Sequence, residues 1–198
     1  MLDEEPPDAP GQTTRPSDRD LLARFRAGDR EAFTLIYRAH GPALFRFATH
    51  MSGDSMKGAE ITQDVFVWLI HHPDHFDEGR GNLGALLTGV ARRILLKRWQ
   101  NERRWLPLEA AGKKTATPPA IHEARSDSRA MRLRELIAGL PPRYREVVVL
   151  CDLEAKTYEE TALILECAVG TVRSRLHRAR GLLGRKLQSE KEKLECGV

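Results

Sequence analysis

Apolar residues recur along this chain at intervals of three and four, the spacing that places side chains on one face of an α-helix. Between Ala32 and His40 they follow the i, i+3, i+4, i+7 pattern, and Ser17 and Asp29 stand where helix N-caps are expected. No segment of the sequence shows the sustained alternation of a strand. The predicted helices cover residues 18–28, 29–51, 56–71, 82–103, 128–140, 143–153, 157–169 and 171–183. The pattern therefore predicts an all-α protein.

The helical pattern stops between residues 105 and 127, where prolines and small polar residues replace the periodic apolar positions. A stretch of about twenty residues is too long for an internal loop of a compact domain, so a flexible linker is predicted. We expect two small helical domains, 17–104 and 128–187, with the second containing a helix-turn-helix. Residues 1–16 carry four acids and four prolines and are predicted to form a disordered acidic tail, and 188–198 a charged tail.

The segment from Thr157 to Leu183 is predicted to be two short helices with Gly170 at the corner. Thr157 and Glu160 have the spacing of a capping box, which would start the first helix. The second helix would bury the stripe Val172, Leu176, Ala179 and Leu183. Its outward positions are polar or basic: Arg173, Ser174, Arg175, His177, Arg178 and Arg180. This is how a helix-turn-helix presents a basic helix to the major groove.

The alternative for this segment is an amphipathic surface helix with a solvated cationic face. Like charges without opposite charges weaken an isolated helix, and no acid lies between Gly170 and Arg185. The surface-helix interpretation leaves that cluster unexplained, so DNA binding is favoured.

The net charge of +4 is modest, but a second basic cluster lies in the predicted fourth helix. Residues 92–104 contain six bases and one acid, with Trp99 among them and Trp105 directly after. Aromatic rings interleaved with bases can form a platform on which single-stranded bases stack. Packing of Trp99 in the core is an equal alternative. Two separate basic helices suggest two contacts on one polyanion.

The sequence offers little to other classes of function. No nucleophile–base constellation or phosphate-binding glycine loop stands out, so neither catalysis nor a cofactor is predicted. A histidine-rich segment is expected to be a polar helix end rather than a metal site: His71, His72, Asp74, His75, Asp77 and Glu78. Three distant cysteines fit a reducing compartment. With no signal-peptide pattern or membrane-spanning run, a cytoplasmic protein is expected.

Four stretches, in this order, together resemble the sigma-70 family of bacterial RNA polymerase sigma factors, specifically its small extracytoplasmic-function (ECF) group. They are GDREAF at 28–33, EITQDVF at 60–66, LPPRYRE at 140–146 and VGTVRSRLHRAR at 169–180. The resemblance spans about residues 18–187 and includes both predicted domains.

The resemblance implies roles for particular residues. In the first domain, the helix containing 60–68 is similar to the segment that docks on the β′ clamp, which implies core-polymerase binding by Glu60, Gln63, Asp64, Phe66 and Val67. The basic helix is similar to the element that reads and melts the −10 promoter element, implying contacts by Asn82, Arg92, Arg93, Lys97, Arg98, Trp99, Arg103 and Arg104. In the second domain, residues 156–175 and the following turn resemble the −35 reader, implying contacts by Thr171, Arg173, Ser174, Arg175, His177 and Arg178.

The expected function is therefore that of a sigma factor that binds core polymerase at the β′ clamp and β flap, recognises promoter DNA and starts transcription. The family also implies an anti-sigma partner. The fourth helix departs from the family pattern at Leu86, Thr88, Gly89 and Arg93. Recognition of the −10 element is therefore the role that the resemblance supports least directly. The alternatives are a stand-alone helix-turn-helix regulator, which would bind DNA tightly without polymerase, and a protein that binds only protein partners.

Overall fold

The computed structural model describes residues 16–104, except 78 and 80, and residues 128–195. Every regular element in these ranges is helical. Four helices form the N-terminal unit: α1 (Asp18–Arg26), α2 (Arg30–Ser52), α3 (Ser55–His71) and α4 (Leu83–Arg104). Four more form the C-terminal unit: α5 (Ser128–Ala138), α6 (Pro142–Val148), α7 (Tyr158–Leu165) and α8 (Val169–Glu195). The fold class is thus the all-α class that the periodicity predicted, while the linker prediction for 105–127 and the tail prediction for 1–15 lie outside the described residues.

Side-chain caps begin the helices where the sequence predicted them. The Ser17 hydroxyl accepts the Asp20 N–H, and the Asp29 carboxylate accepts two N–H groups in the first turn of α2. Thr157 and Glu160 form the predicted capping box at α7, with the Glu160 carboxylate accepting the Thr157 N–H at 2.9 Å. These bonds satisfy donors that a helix start otherwise leaves without partners.

The core of the N-terminal unit forms where α2 crosses α3 and α4. Its largest fully buried side chains include Ile36, Phe47, Met51, Ile61, Leu69, Leu83 and Leu87. Gly58 of α3 permits the crossing, because a Cβ there would lie 2.3 Å from the Thr49 hydroxyl oxygen on α2. Any side chain at this position would therefore require Thr49 on α2 to shift.

The corner of the helix-turn-helix differs from the prediction. We expected the first helix to reach Val169 and Gly170 to form the corner. Instead α7 ends at Leu165, Glu166 takes the left-handed conformation with φ 53°, and α8 already begins at Val169. The Ala168 carbonyl accepts the N–H groups of Thr171 and Val172, so Gly170 lies within the first turn. The prediction was wrong because a left-handed corner favours glycine without requiring it.

Helix α8 also runs further than the expected domain end at residue 187, continuing to Glu195. Residues 188–195 contain Gln, Lys, Glu and Leu, which are good helix formers, so the helix propagates without a periodic apolar face. The last three residues of the predicted charged tail, 196–198, lie outside the described residues.

The two units lie in direct contact. Helix α7 packs against α4, and α5 together with the π-helical turn Val149–Leu153 packs against α2. The sequence pattern predicted two domains but carried no signal for this contact, which places the C-terminal unit over one face of α4.

Candidate nucleic-acid interface

Helix α8 has a buried apolar stripe on one side and a cationic face on the other. Val172, Leu176 and Ala179 are at most 2% exposed and anchor the helix on the C-terminal unit. The opposite side, here named the reader face, consists of four exposed side chains: Arg173, Ser174, His177 and Arg178. Of the other predicted contacts, Thr171 and Arg175 are half-buried at the edge of this face.

Local contacts orient part of the reader face. The guanidinium of Arg173 lies 5.7 Å from the centroid of the Tyr158 ring, within the range of a cation–π interaction. The Ser174 hydroxyl donates to the Thr171 carbonyl at 3.0 Å. Arg180, which the sequence also placed outward, is paired with Asp152 through two bonds of 2.6 and 3.2 Å. The cation of Arg180 is thus already neutralised, whereas the reader face stays accessible.

The residues predicted for −10 contact lie along α4, and the C-terminal unit holds three of them. Asn82 donates to Glu160 at 3.1 Å, Arg92 to Glu146 at 2.9 Å and Arg93 to Glu166 at 2.8 Å. Trp99 packs half-buried against the edge of the core and Lys97 is exposed. The side chains of Arg103 and Arg104 lie outside the part of the chain that the structure describes. The core alternative for Trp99 therefore agrees with its position.

Helix α3 presents the residues predicted for polymerase contact. Glu60, Gln63 and Asp64 are exposed, and Val67 is an exposed apolar side chain beside them. Phe66 is different, because it is 3% exposed and packs on Tyr37 with ring centroids 4.6 Å apart. In this conformation Phe66 supports the helix from inside and does not itself reach a partner.

One arginine joins the two predicted surfaces of the N-terminal unit. Arg98 of α4 donates to Glu60 at 2.8 Å and to Asp64 at 2.7 Å. The hydrogen bond that Arg98 donates to Glu60, and after it the bond to Asp64, raises the pKa of Arg98 further above its usual range. Sequence reasoning placed Arg98 on DNA and the two acids on polymerase, and their pairing across 34 and 38 residues of chain left no local signal.

Comparison with known proteins decides the family. The family model described as sigma-70 region 2 matches residues 36–105, and the one described as sigma-70, region 4 matches residues 130–183. The chain belongs to the sigma-70 family. The helix-turn-helix of this sigma factor lies within the region 4 match, and α4 lies within the region 2 match.

Two curated relatives of this sigma factor are named as ECF sigma factors. ECF RNA polymerase sigma factor SigE of Mycolicibacterium smegmatis is 31% identical over 148 residues, which cover 73% of this chain and 57% of the relative. SigM of Mycobacterium tuberculosis is 29% identical over 171 residues, which cover 86% of this chain and 85% of the relative. The chain thus spans little more than half of SigE and most of SigM.

Two solved structures have a similar fold, and one of them is a sigma factor by name. RpoE from Bartonella quintana, solved in complex with the anti-sigma factor NepR, gives a TM-score of 0.67 at 27% identity, covering 79% of this chain and 96% of that chain. CnrH, solved in complex with the cytosolic domain of CnrY, gives a TM-score of 0.64 at 26% identity, covering 87% and 97%. The fold and the family therefore agree.

The departures of this sigma factor from the family pattern have simple structural settings. Thr88 is buried and its hydroxyl donates to the Gly84 carbonyl at 2.7 Å, so α4 accommodates it without a distant partner. At Gly89, apart from the adjacent residues and the backbone of α4 itself, no heavy atom of the described residues lies within 4 Å of where a Cβ would stand. Arg93 reaches Glu166 of the C-terminal unit.

The histidine-rich segment of this sigma factor forms an aromatic stack. The His72 ring stacks on Trp68 at 4.9 Å, and His75 meets the same indole edge-on at 5.3 Å. Nδ1 of His71 lies 2.7 Å from the Val67 carbonyl oxygen. Among the described residues no three potential ligands are grouped as a metal site would require.

Cys151, which precedes the helix-turn-helix, is a packing residue. Burial raises the pKa of the Cys151 thiol, and its sulfur lies 3.4 Å from the hydroxyl of Thr161, which is fully buried. This contact gives the buried threonine a polar partner. In the described ranges no helix is long and apolar enough to cross a bilayer.

Proposed function

We propose that this ECF-type sigma factor recruits core RNA polymerase through α3 and positions it on promoters through α8 and α4. Its contribution is binding rather than catalysis, and its place of action is the bacterial cytoplasm, where polymerase and promoters are found. Since RpoE was solved with the anti-sigma factor NepR, we extend the proposal to an anti-sigma partner for this chain.

The observation that carries the proposal is the reader face on α8. Arg173 and Arg178 are exposed beside Ser174 and His177, and the opposite side of the same helix is dry. Arginine can bond guanine bidentately in the major groove, and such a pair discriminates by about 1–3 kcal/mol. The capping box at Thr157 and the fixed corner at Glu166 hold α7 and α8 at a set angle. A rigid cationic helix of this kind suits duplex recognition at the −35 element.

For polymerase contact, the proposal uses the exposed side of α3. Glu60 and Asp64 supply two carboxylates and Val67, 44% exposed, supplies an apolar contact. A cationic clamp surface would complement this patch in charge, and the apolar side chain would add buried area.

For the −10 element, the proposal uses the basic side of α4. Arg92, Arg93 and Lys97 would contact backbone phosphates, and Trp99 would offer a ring to a base that has left the stack. In the present conformation the C-terminal unit holds Arg92 and Arg93 of α4, together with Asn82 directly before the helix, so this contact requires the two units to separate.

The test is a paired assay of polymerase capture and run-off transcription with the full chain. We expect the double variant Arg173→Ala, Arg178→Ala to capture core polymerase like wild type but to lose promoter-specific transcripts. Arg185→Ala, which removes an exposed arginine further along α8, is the matched control and should transcribe normally.

The converse variant addresses α3. Asp64→Lys should lose polymerase capture, whereas Glu31→Lys, a charge reversal at an exposed position of α2, should retain it. Asp64→Asn separates the effect of charge reversal from loss of the bond to Arg98.

Normal initiation by the variant Arg173→Ala, Arg178→Ala at the natural promoter would disprove the assignment of α8 to the −35 element.

A further inference from the structure

A single guanidinium joins α3 and α4 on the outer surface of the N-terminal unit. Glu60 and Asp64 are four positions apart on α3, so their side chains lie on the same side of that helix. Arg98 of α4 reaches both acids, with Nη1 2.8 Å from Oε2 of Glu60 and Nη2 2.7 Å from Oδ2 of Asp64. Each of these two nitrogens thus has its own carboxylate, and one arginine bridges two acids.

Buried neighbours hold the three bridged side chains in register. Ile61 and Val65, which directly follow the two acids in the chain, are at most 1% exposed. Leu95, three positions before Arg98 on α4, is 2% exposed. Because α3 and α4 pack against each other, neither helix can rotate to move the acids away from the guanidinium without exposing these residues. The bridge is therefore a fixed feature of the fold.

The bridge leaves both acids accessible to a partner. The side chains of Glu60 and Asp64 are 54% and 48% exposed while they are bonded to Arg98. A carboxylate has two oxygens with about four acceptor sites, so one bond to a guanidinium uses only part of this capacity. An incoming cation can therefore bond the acids without displacing Arg98.

The energetic effect of the bridge lies in order more than in stability. Without a cation, two like charges four positions apart on a helix repel each other, and each side chain is free to sample other rotamers. Ordering such side chains when a partner binds costs free energy, and that cost falls when they are already held. An exposed ion pair adds little to the stability of a fold. The bridge is thus suited to orienting the acids.

We propose that Arg98 is a positioning residue for polymerase docking, holding Glu60 and Asp64 in the arrangement that the cationic clamp surface binds, and that it does not itself contact promoter DNA. This role rests on the proposed function of α3. It replaces the −10 contact that the sequence predicted for Arg98, because a guanidinium bonded to two carboxylates must give up both to bond a phosphate. The exposed Lys97 beside it keeps its proposed contact with DNA.

The main test exchanges arginine for lysine, which leaves the charge unchanged. Arg98→Lys replaces a planar fork of donors with a single ammonium group, which cannot hold two carboxylates in the same geometry. The affinity of the labelled full chain for core polymerase, measured by fluorescence anisotropy, should fall by about two- to tenfold. Arg38→Lys, the same exchange at an exposed position of α2, is the matched control and should bind like wild type.

A double-mutant cycle shows whether the effect passes through the acids. In the Glu60→Gln background one charged carboxylate remains, and a lysine can pair with it almost as well as an arginine. Arg98→Lys should therefore cost less affinity in this background than in wild type, whereas an equal cost in both would overturn the positioning role. Thermal unfolding followed by circular dichroism should give Arg98→Lys the Tm of wild type, and a clearly lower Tm would indicate a purely structural role.

A separate measurement tests contact with DNA. Holoenzyme is formed with Arg98→Met at saturating core polymerase, and its affinity for labelled single-stranded DNA from the mapped promoter is followed against salt concentration. The positioning role predicts the same slope of log affinity against log salt as for wild type. A phosphate contact by Arg98 predicts a slope that is smaller by about 0.7 to 1, and that result would overturn the proposal.

The core-binding measurement also separates this inference from the proposed function. If wild type binds core polymerase and Arg98→Lys binds as tightly as Arg38→Lys, the positioning role alone is wrong. Tighter binding by Arg98→Lys than by wild type would also overturn it, because the bridge would then mask the acids. Absence of core binding by wild type would overturn the proposed function of α3 itself.

Discussion

Gly89 lies in the interior of α4, the helix that carries the proposed −10 contacts, and the structure gives it no steric reason to be glycine. Apart from the adjacent residues and the backbone of α4 itself, no heavy atom of the described residues lies within 4 Å of the position that a Cβ would take. Glycine in a helix interior costs about 0.8–1.0 kcal/mol relative to alanine. Gly89→Ala should therefore stabilise the fold by roughly 0.5–1 kcal/mol, since the gain arises mainly from a less flexible unfolded chain.

Gly58 provides the opposite case on α3. A Cβ there would lie 2.3 Å from the Thr49 hydroxyl oxygen, 3.1 Å from the Thr49 backbone nitrogen and 3.2 Å from its Cα. The hydroxyl can rotate away, but the backbone of α2 cannot move without disturbing the core. Gly58→Ala should cost about 1–3 kcal/mol, the usual range for overpacking.

Thermal unfolding of the two variants followed by circular dichroism tests the pair. For a chain of this length a change of 1 kcal/mol shifts Tm by about 2–4 °C. We expect Gly89→Ala to raise Tm by up to that amount and Gly58→Ala to lower it by more. A lower Tm for Gly89→Ala would show that the helix interior around this position is not as the structure describes it.

Three further predictions concern single residues. The hydrogen bond that the Thr157 N–H donates to Glu160 lowers the pKa of this carboxyl below its ordinary value near 4.5, so the stabilisation it gives is present above that pH and is lost as the pH falls. Between about pH 5 and pH 3, wild type should therefore lose more stability than Glu160→Gln in denaturant titrations. Equal losses would contradict the capping role. Because burial raises the pKa of the Cys151 thiol, this cysteine should be alkylated more slowly in the native chain than in urea, as measured by site-resolved mass spectrometry, and equal rates would show an accessible thiolate. Arg145→Met should destabilise the chain by about 3 kcal/mol, since it leaves the buried carbonyls of Met51 and Leu140 without a donor. Urea unfolding measures this loss, and a midpoint equal to that of wild type would exclude these hydrogen bonds.

Local signals in the sequence were enough for the helices and for one face of each. Ser17, Asp29 and Thr157 cap helices because short polar side chains beside an apolar periodicity reach the first free N–H groups. The stripe through Val172 and Leu176 is buried because helical spacing fixes which side faces the core. These features depend on residues a few positions apart.

The parts that sequence reasoning missed depend on residues that are distant in the chain. The bonds of Arg98 to Glu60 and Asp64 and of Arg92 to Glu146 arise from packing between helices, which no periodicity encodes. The corner at Glu166 was missed for a local reason, since a nearby glycine gave the stronger turn signal. The sequence could therefore indicate the surfaces predicted for DNA and for polymerase, but not the ion pairs that join residues of one surface to residues elsewhere in the fold.

The central claim is that this chain brings core polymerase to a promoter. Run-off transcription on a template carrying its own mapped promoter, with purified core polymerase and the full chain added separately and together, tests that claim most directly. The account predicts a single specific transcript only when both are present, and weak promoter binding by the chain alone. Tight, specific promoter binding by the chain alone, with no transcript when core polymerase is added, would contradict it and would identify a stand-alone helix-turn-helix regulator.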